Sequence, residues 1–383
     1  MVSQDKIASL FQEKFKQSPR WFVAPGRINL IGEHTDYNEG FVMPAAIDKH
    51  FLFAVAPNHT SQFYLTALDL NESNSFSLDS LQPGSRWINY LMGVVDSFLK
   101  RGKKIGGLSC IFTSTIPAGA GLSSSAALCS GFGYALNEIF GCGLSRLDLA
   151  LIAQEAEHRF AGTKCGIMDM YASLLSQEGS VMLLDCRSNQ HQYLPVHFDD
   201  YEFLLIDTKV KHSLNTSGYN DRREACEEGV RILKKEKPAI NSLRDVSEAA
   251  LVSGRSQLNE NVFRKCLYVV QEISRTLKAA EHLRSNELKK FGELMYQTHW
   301  GLSNDYEVSC EESDWLVRWA AENKVAGARQ MGGGFGGCTI NLIKKELVSP
   351  LKDDVRKKYF ATFKKEPEFY SVHLTQGVNE LKP

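Results

Sequence analysis

The stretch that most restricts the fold runs from Leu108 to Leu128, LSCIFTSTIPAGAGLSSSAAL. Its first ten residues are rich in β-branched side chains, which predicts a strand ending at Pro117. From Ser123 the residues are small, and the pattern predicts a helix to about Phe140. Gly119, Ala120, Gly121 and Leu122 leave room only for a tight turn between the two. Such a turn exposes the free N–H groups of the first helical turn at its mouth. That is the layout of an anion site, because those donors and the helix dipole both favour negative charge. Ser123, Ser124 and Ser125 add hydroxyls suited to phosphate oxygens or a metal ion. The same pattern also suits a plain serine-capped helix. It is not the common P-loop, which needs a lysine, nor the dinucleotide fingerprint.

Three other segments concentrate polar chemistry. PGRINLIGEHTDYNEG, Pro25 to Gly40, follows a strand-like run and holds Arg27, Glu33, His34 and Asp36. EAEHRFAGTKCGIMDMYAS places Glu157 near the end of a helix predicted from Ser145 to Phe160, and Asp169 among Ile167, Met168 and Met170. An acid in apolar company is pushed toward its neutral form unless a cation lies nearby. Asp169 equally suits a cap for the helix that MYASLL predicts. MGGGFGGC, Met331 to Cys338, has five glycines in eight residues, which permits close backbone approach to a ligand or a tight turn. Trp87 and Tyr90 stand three apart, and fit either a stacked base or a helix face turned to the core. His158, His212 and His299 share no metal-ligand spacing with another His or Cys, so none is assigned to a metal.

The chain has 383 residues, enough for two domains and a core that needs no disulfides. A net charge of -1 argues against nucleic acid or an anionic membrane as a broad electrostatic partner. Nine scattered cysteines without a Cys-x-x-Cys pair read as reduced thiols, which predicts a cytoplasmic protein. The amphipathic N-terminus lacks the apolar run of a signal peptide, and no stretch reaches the roughly 20 apolar residues of a membrane span. No apolar stripe calls for a partner, so a monomer is expected. Helices and strands interleave without strict β-α-β alternation, which predicts an α+β chain in two domains, 1–195 and 196–383. Ser145 with Asp148 predicts a capped start for its helix.

Together these segments resemble the GHMP kinases, most closely the galactokinase family. PGRINLIGEHTDYNEG is similar to that family's signature, PAGAGLSSSAAL to the second superfamily motif and GGGFGGC to the third. CGIMD, WINY, HSLNTSGYNDRR and NDYEVSCEE match in order, so the resemblance spans about residues 20 to 378. It implies a ribosomal-S5-like N-terminal domain and a ferredoxin-like C-terminal domain with the active site between them. It implies ATP-dependent phosphorylation of the anomeric hydroxyl of α-D-galactose, the first committed step of galactose metabolism. By the same resemblance Asp169 and Arg27 are catalytic, and Glu33, His34, Asp36, Gly166 and Tyr219 bind the sugar. Gly119, Ala120, Gly121, Leu122, Ser123, Ser124, Ser125, Gly333 and Gly334 would hold ATP phosphates, Trp87 and Tyr90 would lie near the adenine, and Ser125 and Glu157 would bind Mg²⁺. A kinase for N-acetylgalactosamine or arabinose stays open, as does a sensor that binds sugar and ATP without catalysis, although GLSSSAA is complete here. Met170 stands where the family has glutamine, which removes a polar neighbour of Asp169. Gln330 and Met331 stand where it has Met-Thr, which removes a hydroxyl from the phosphate side.

Overall fold

The computed structural model describes residues 2–84, 87–196, 198, 200–210 and 215–382. The strands are β1 (Arg20–Asn29), β2 (Phe41–Val42), β3 (Pro44–Pro57), β4 (Gln62–Ala67), β5 (Glu72–Ser77), β6 (Leu108–Ser114) and β7 (Ser180–Asp185). They continue with β8 (Gln190–Pro195), β9 (Tyr201–Asp207), β10 (Gly327–Gln330), β11 (Cys338–Lys344), β12 (Glu368–Val372) and β13 (Asn379–Leu381). One sheet has the order β13-β1-β3-β6-β4-β5, antiparallel except for the parallel pair β4 and β6. A second, β10-β11-β9-β12, is antiparallel throughout, and a small third sheet joins β2, β7 and β8. The architecture is α+β, as the interleaved pattern predicts.

The first sheet carries the predicted strand-turn-helix. β6 leads into the glycine turn, and the helix Ser124–Phe140 leaves it to lie across β1 and β3. Gly131 makes the close approach possible: a Cβ there would stand 2.5 Å from both Ala24 Cβ and Phe53 Cε2. The helix that begins after Ser145 has both halves of a capping box, Ser145 with Asp148. It is α-helical over Arg146–Ala156 and then widens into a π-helical turn, Glu157–Ala161, so the helix predicted to Phe160 changes its winding at Glu157. Single π turns of this kind are frequent at functional sites.

The second sheet packs one face against the helices Glu311–Glu322 and Val348–Phe363, burying Leu204, Ile206, Leu316, Val317, Val355 and Tyr359. The helices Asn215–Leu233 and Glu260–Arg284 form a separate core beneath the signature loop, joined by Leu302 of the helix Leu288–Asn304. A cut between 195 and 196 falls in the connection from β8 to β9. It does not divide the sheets cleanly, because β13 returns to the first sheet and pairs Trp21 with Leu381 and Val23 with Asn379. The reason is physical: β1 would otherwise be an unpaired edge strand.

Candidate active site

A break in the β1 ladder aims the central cation. The pairing of β1 with β3 shifts register between Pro25 and Arg27. Such bulges re-aim a side chain. At the bulge, a Cβ on Gly26 would stand 2.7 Å from the Leu122 carbonyl, so the strand touches the glycine turn directly. Arg27, 3% exposed, spends all its reach there. Its Nε donates to Asp169 Oδ1 at 2.8 Å, its Nη2 to Oδ2 at 3.0 Å, and its Nη1 to the Gly121 carbonyl at 2.6 Å. Burial works against the guanidinium charge, and Asp169 and Glu33 outweigh it, so the Arg27 pKa rises. Asp169 is in the first turn of the helix Met168–Leu175 and caps nothing; its carboxylate takes the Arg27 fork and the Ser123 hydroxyl at 2.5 Å. A cation beside Asp169 is thus supplied from 142 positions away.

The glycine turn resolves its own ambiguity. No serine side chain caps the helix that starts at Ser124. Ser123 is left-handed, with φ 58°, and turns its hydroxyl to Asp169. The carbonyls of Ala120, Gly121 and Leu122 accept from Cys338 N, Arg27 Nη1 and Arg27 N. In a planar trans peptide the N–H lies opposite the carbonyl. The loop therefore offers N–H edges to the cavity of about 310 Å³ that residues 119–125 line with Gly333, Gly334 and Tyr219.

Two more cavities adjoin this one through shared residues. The first, about 260 Å³, brings together Arg27, Glu33, His34, Asp36, Gly166, Asp169 and Tyr219, together with Ser123, Ser125 and Glu157. The other, about 470 Å³, is largely apolar and is lined by Trp87, Tyr90, Phe51, Phe112 and Leu128, reaching Ser124 and Ser125. Trp87 is held by its Nε1–H to Glu72 at 2.9 Å and stands edge-on to Phe112. Every candidate site residue of the sequence reading lines one of the three cavities.

Within the polar cavity each side chain has a distinct state. Glu33 is buried; it accepts from Asn29 and from the Gly332 N–H, and Arg329 Nη1 lies 3.5 Å away. The signature loop and the third glycine motif are thereby joined at one carboxylate. His34 has φ 64° and sits with its ring 5.3 Å from Tyr219 and 4.8 Å from Tyr306. Burial, and then Arg222, lower its pKa to about 3, so the imidazole is neutral. Asp36 is pushed up to about 7 by burial and by the charge of Asp169. Gly166 closes over it: a Cβ there would lie 1.9 Å from Asp36 Oδ2, which no side chain permits. Burial likewise raises Glu157 to about 7. Its Oε1 is buried with no hydrogen-bond partner, and the Ser125 hydroxyl is its neighbour. An unpartnered carboxylate oxygen beside a hydroxyl fits a hard cation that keeps phosphates and water in its remaining positions. Among the described residues no group of three or more His, Cys, Asp or Glu side chains forms a metal cage.

Two expectations are corrected. Met170 is fully buried in the core and lines none of the three cavities; Met168 lines the polar one instead. Successive helical residues turn by about 100°, so Met168 and Asp169 face the cavity while Met170 turns away. The glutamine-to-methionine change therefore removes no polar group from the cavity. Gln330 and Met331 also lie in the core, with Gln330 Nε2 on the Val308 carbonyl at 3.3 Å and the Met331 N–H on the Cys338 carbonyl at 3.0 Å, so the phosphate cavity loses no hydroxyl. His158 bonds the Cys165 carbonyl and His299 lies between Gln330 N and Asp314; His212 is outside the described residues. Sequence reasoning missed Thr163, Cys165 and Met168 in the polar cavity. It also missed Arg329 and Glu272, which hold the signature loop: Arg329 Nε donates to the Leu30 carbonyl at 2.8 Å, and Glu272 accepts from Gly32 N at 2.8 Å. Arg329 stands just before the third motif, the only local signal for it; Glu272 lies mid-helix with none.

The comparisons with known proteins agree with this geometry. Residues 89–177 match the GHMP kinases N terminal domain and 276–361 the GHMP kinases C terminal domain. The mevalonate kinase of Methanococcus jannaschii shares the fold at TM-score 0.65 and 18% identity, over 94% of this chain and 100% of that one. The fold is that of a GHMP kinase. Residues 9–57 match the galactokinase galactose-binding signature. The galactokinase of Thermosipho africanus is 39% identical over 94% of this chain and 99% of its own, and that of Clostridium acetobutylicum 37% over 98% and 99%. The structure of Lactococcus lactis galactokinase complexed with galactose superposes at TM-score 0.95 with 30% identity, covering 98% of this chain and 99% of that one. The chain belongs to the galactokinase family. No helix among the described residues is long and apolar enough to cross a membrane.

Proposed function

We propose that this chain transfers the γ-phosphoryl group of ATP to the C1 hydroxyl of α-D-galactose, releasing galactose 1-phosphate and ADP. The observation that carries the reading is the Arg27–Asp169–Ser123 cluster, which lies where the polar cavity meets the phosphate loop. In this reading galactose occupies the polar cavity, the triphosphate lies along residues 119–125 with Gly333 and Gly334, and the base enters the apolar cavity beside Trp87 and Tyr90.

Asp169 accepts the hydrogen of the C1 hydroxyl as the O1–Pγ bond forms and the bond from Pγ to the β,γ-bridging oxygen breaks. Arg27 holds the Asp169 carboxylate by two hydrogen bonds and offsets charge on the transferring group. Phosphoryl transfer has a loose transition state, so positioning and charge stabilisation supply most of the catalysis. Glu33 and Asp36 accept from sugar hydroxyls, and Gly166 leaves the Asp36 carboxylate bare. A site built to bond a given hydroxyl rejects a sugar that misplaces it. Ser125 and Glu157 are the residues that would hold Mg²⁺, whose charge counters that of the phosphates.

The test is coupled ADP release over galactose, 2-deoxygalactose, galactosamine, N-acetylgalactosamine, arabinose and glucose. Galactose should give the highest kcat/KM; a higher value for any other sugar overturns the substrate assignment. Glu157→Gln should raise the Mg²⁺ concentration needed for half-maximal rate, whereas an unchanged magnesium titration places the metal elsewhere.

A further inference from the structure

Behind the polar cavity lies a row of hydroxyls that the reaction above does not use. His34 Nδ1 is 2.8 Å from the Tyr37 hydroxyl, which is 2.7 Å from the Tyr306 hydroxyl, which is 3.4 Å from Cys226 Sγ. Tyr306 comes from NDYEVSCEE, a segment otherwise without a role, and it is fully buried. The other ring nitrogen of His34, Nε2, is buried with no hydrogen bond of good geometry, the Gly333 backbone being a further polar neighbour of the ring, in a residue 4% exposed that lines the cavity.

The direction of the row follows from the chemistry of its members. The Tyr306 hydroxyl has one proton and two neighbours, an oxygen and a sulfur. Sulfur is a weak acceptor, so the proton goes to the Tyr37 oxygen. The Tyr37 proton then has one neighbour left, His34 Nδ1. Burial pushes the Cys226 thiol up to about 11, so it keeps its hydrogen and adds a weak donor behind Tyr306. A neutral imidazole that accepts at one nitrogen carries its hydrogen on the other.

We infer that Tyr306 and Tyr37 are positioning residues that fix His34 in the Nε2–H form, making it the donor to a sugar oxygen beside Glu33 and Asp36, whose ionised carboxylates accept. The inference rests on the sugar site proposed above and deepens it. Glu33 and Asp36 alone would take any polyol whose hydroxyl hydrogens reach them. A fixed donor among them requires one oxygen to receive a hydrogen at a set place, so it reads that hydroxyl from both sides. Reversing the row would turn His34 into a third acceptor and leave that sugar oxygen facing a lone pair.

The test begins on the ligand-free enzyme, with long-range ¹H–¹⁵N correlation of the His34 ring. Nε2 should be the protonated nitrogen, and Nδ1–H in the wild type overturns the inference whatever the enzyme phosphorylates. Tyr306→Phe keeps the ring and removes only the hydroxyl. It should shift the His34 ring toward a mixture of the two forms and raise KM for galactose on the order of 3- to 10-fold, the worth of one neutral hydrogen bond. KM for ATP should stay within twofold and kcat should change less than KM. In the same variant, one member of a monodeoxygalactose panel should lose its disadvantage relative to galactose. Unchanged galactose KM, or equal losses for sugar and ATP, would show that the row is packing alone. Failure of the wild type to use galactose would sink the substrate assignment, while the ring spectrum still decides the tautomer.

Discussion

Asp169 shows how far one residue's role depends on its neighbours. Its carboxylate is held by the two-pronged Arg27 fork and by the Ser123 hydroxyl. Asp169→Ala should lower kcat by on the order of 10² or more while the circular dichroism spectrum is unchanged. Retention of a tenth of the rate would remove it from the chemistry. Asp36 makes a second prediction through its titration. Folding raises it from 3.8 to about 7, so the ligand-free folded protein holds a proton that the unfolded chain has lost above pH about 4. Its contribution therefore lowers stability as pH rises from about 4 to about 7. Sugar binding runs the other way, because hydroxyls donate to the ionised form. About a tenth of Asp36 is ionised at pH 6 and about nine-tenths at pH 8, so KM for galactose should fall about tenfold across that interval at saturating ATP. Asp36→Asn should flatten the profile.

At the scale of elements, the site depends on how closely helix Ser124–Phe140 lies on the first sheet. Gly131→Ala would gain about 1 kcal/mol of helix propensity. It would also place a methyl group 2.5 Å from Ala24 and Phe53, both buried in the core. Overpacking costs about 1–3 kcal/mol, so the clash prevails. Urea unfolding should show a lower midpoint at unchanged slope, and a higher midpoint would mean the helix has room to rise. The β1 bulge and the π turn act at the same scale: one turns Arg27 inward, and the other begins at Glu157, whose Oε1 has no partner. Both are local departures from regular structure next to the chemistry.

In the whole molecule, two parts of the chain far apart in sequence build one cavity, and a few buried contacts hold them together. Arg329 donates to the carbonyls of Leu30, Asn29 and Gln330 and faces Glu33, so the third glycine motif and the signature strand share one guanidinium. Removing one partner of such a buried network costs about 3–5 kcal/mol. Arg329→Met should lower the unfolding free energy by that amount and raise KM for galactose more than KM for ATP, because Glu33 loses its anchor. Loss of less than about 1 kcal/mol would show the two parts are held elsewhere.

The sequence by itself carried the α+β class, the strand-turn-helix, the capped helix at Ser145 and the residues that gather in the three cavities. These follow from short-range patterns: β-branched runs, glycine where a side chain cannot fit, serine and aspartate three apart. It did not disclose which way a side chain points. Met170 read as a neighbour of the site because it is adjacent in the chain, yet the helix turns it into the core. Whether Asp169 capped its helix, and whether the serines capped theirs, depended on a cation 142 positions away. The return of β13 to β1, the anchors of Glu272 on Gly32 and of Arg329 on Leu30, and the Tyr306–Tyr37 link of the hydroxyl row are contacts across 240 to 360 positions. Only tertiary structure decides such contacts, because they arise from where buried polar groups find partners once the chain has closed around them.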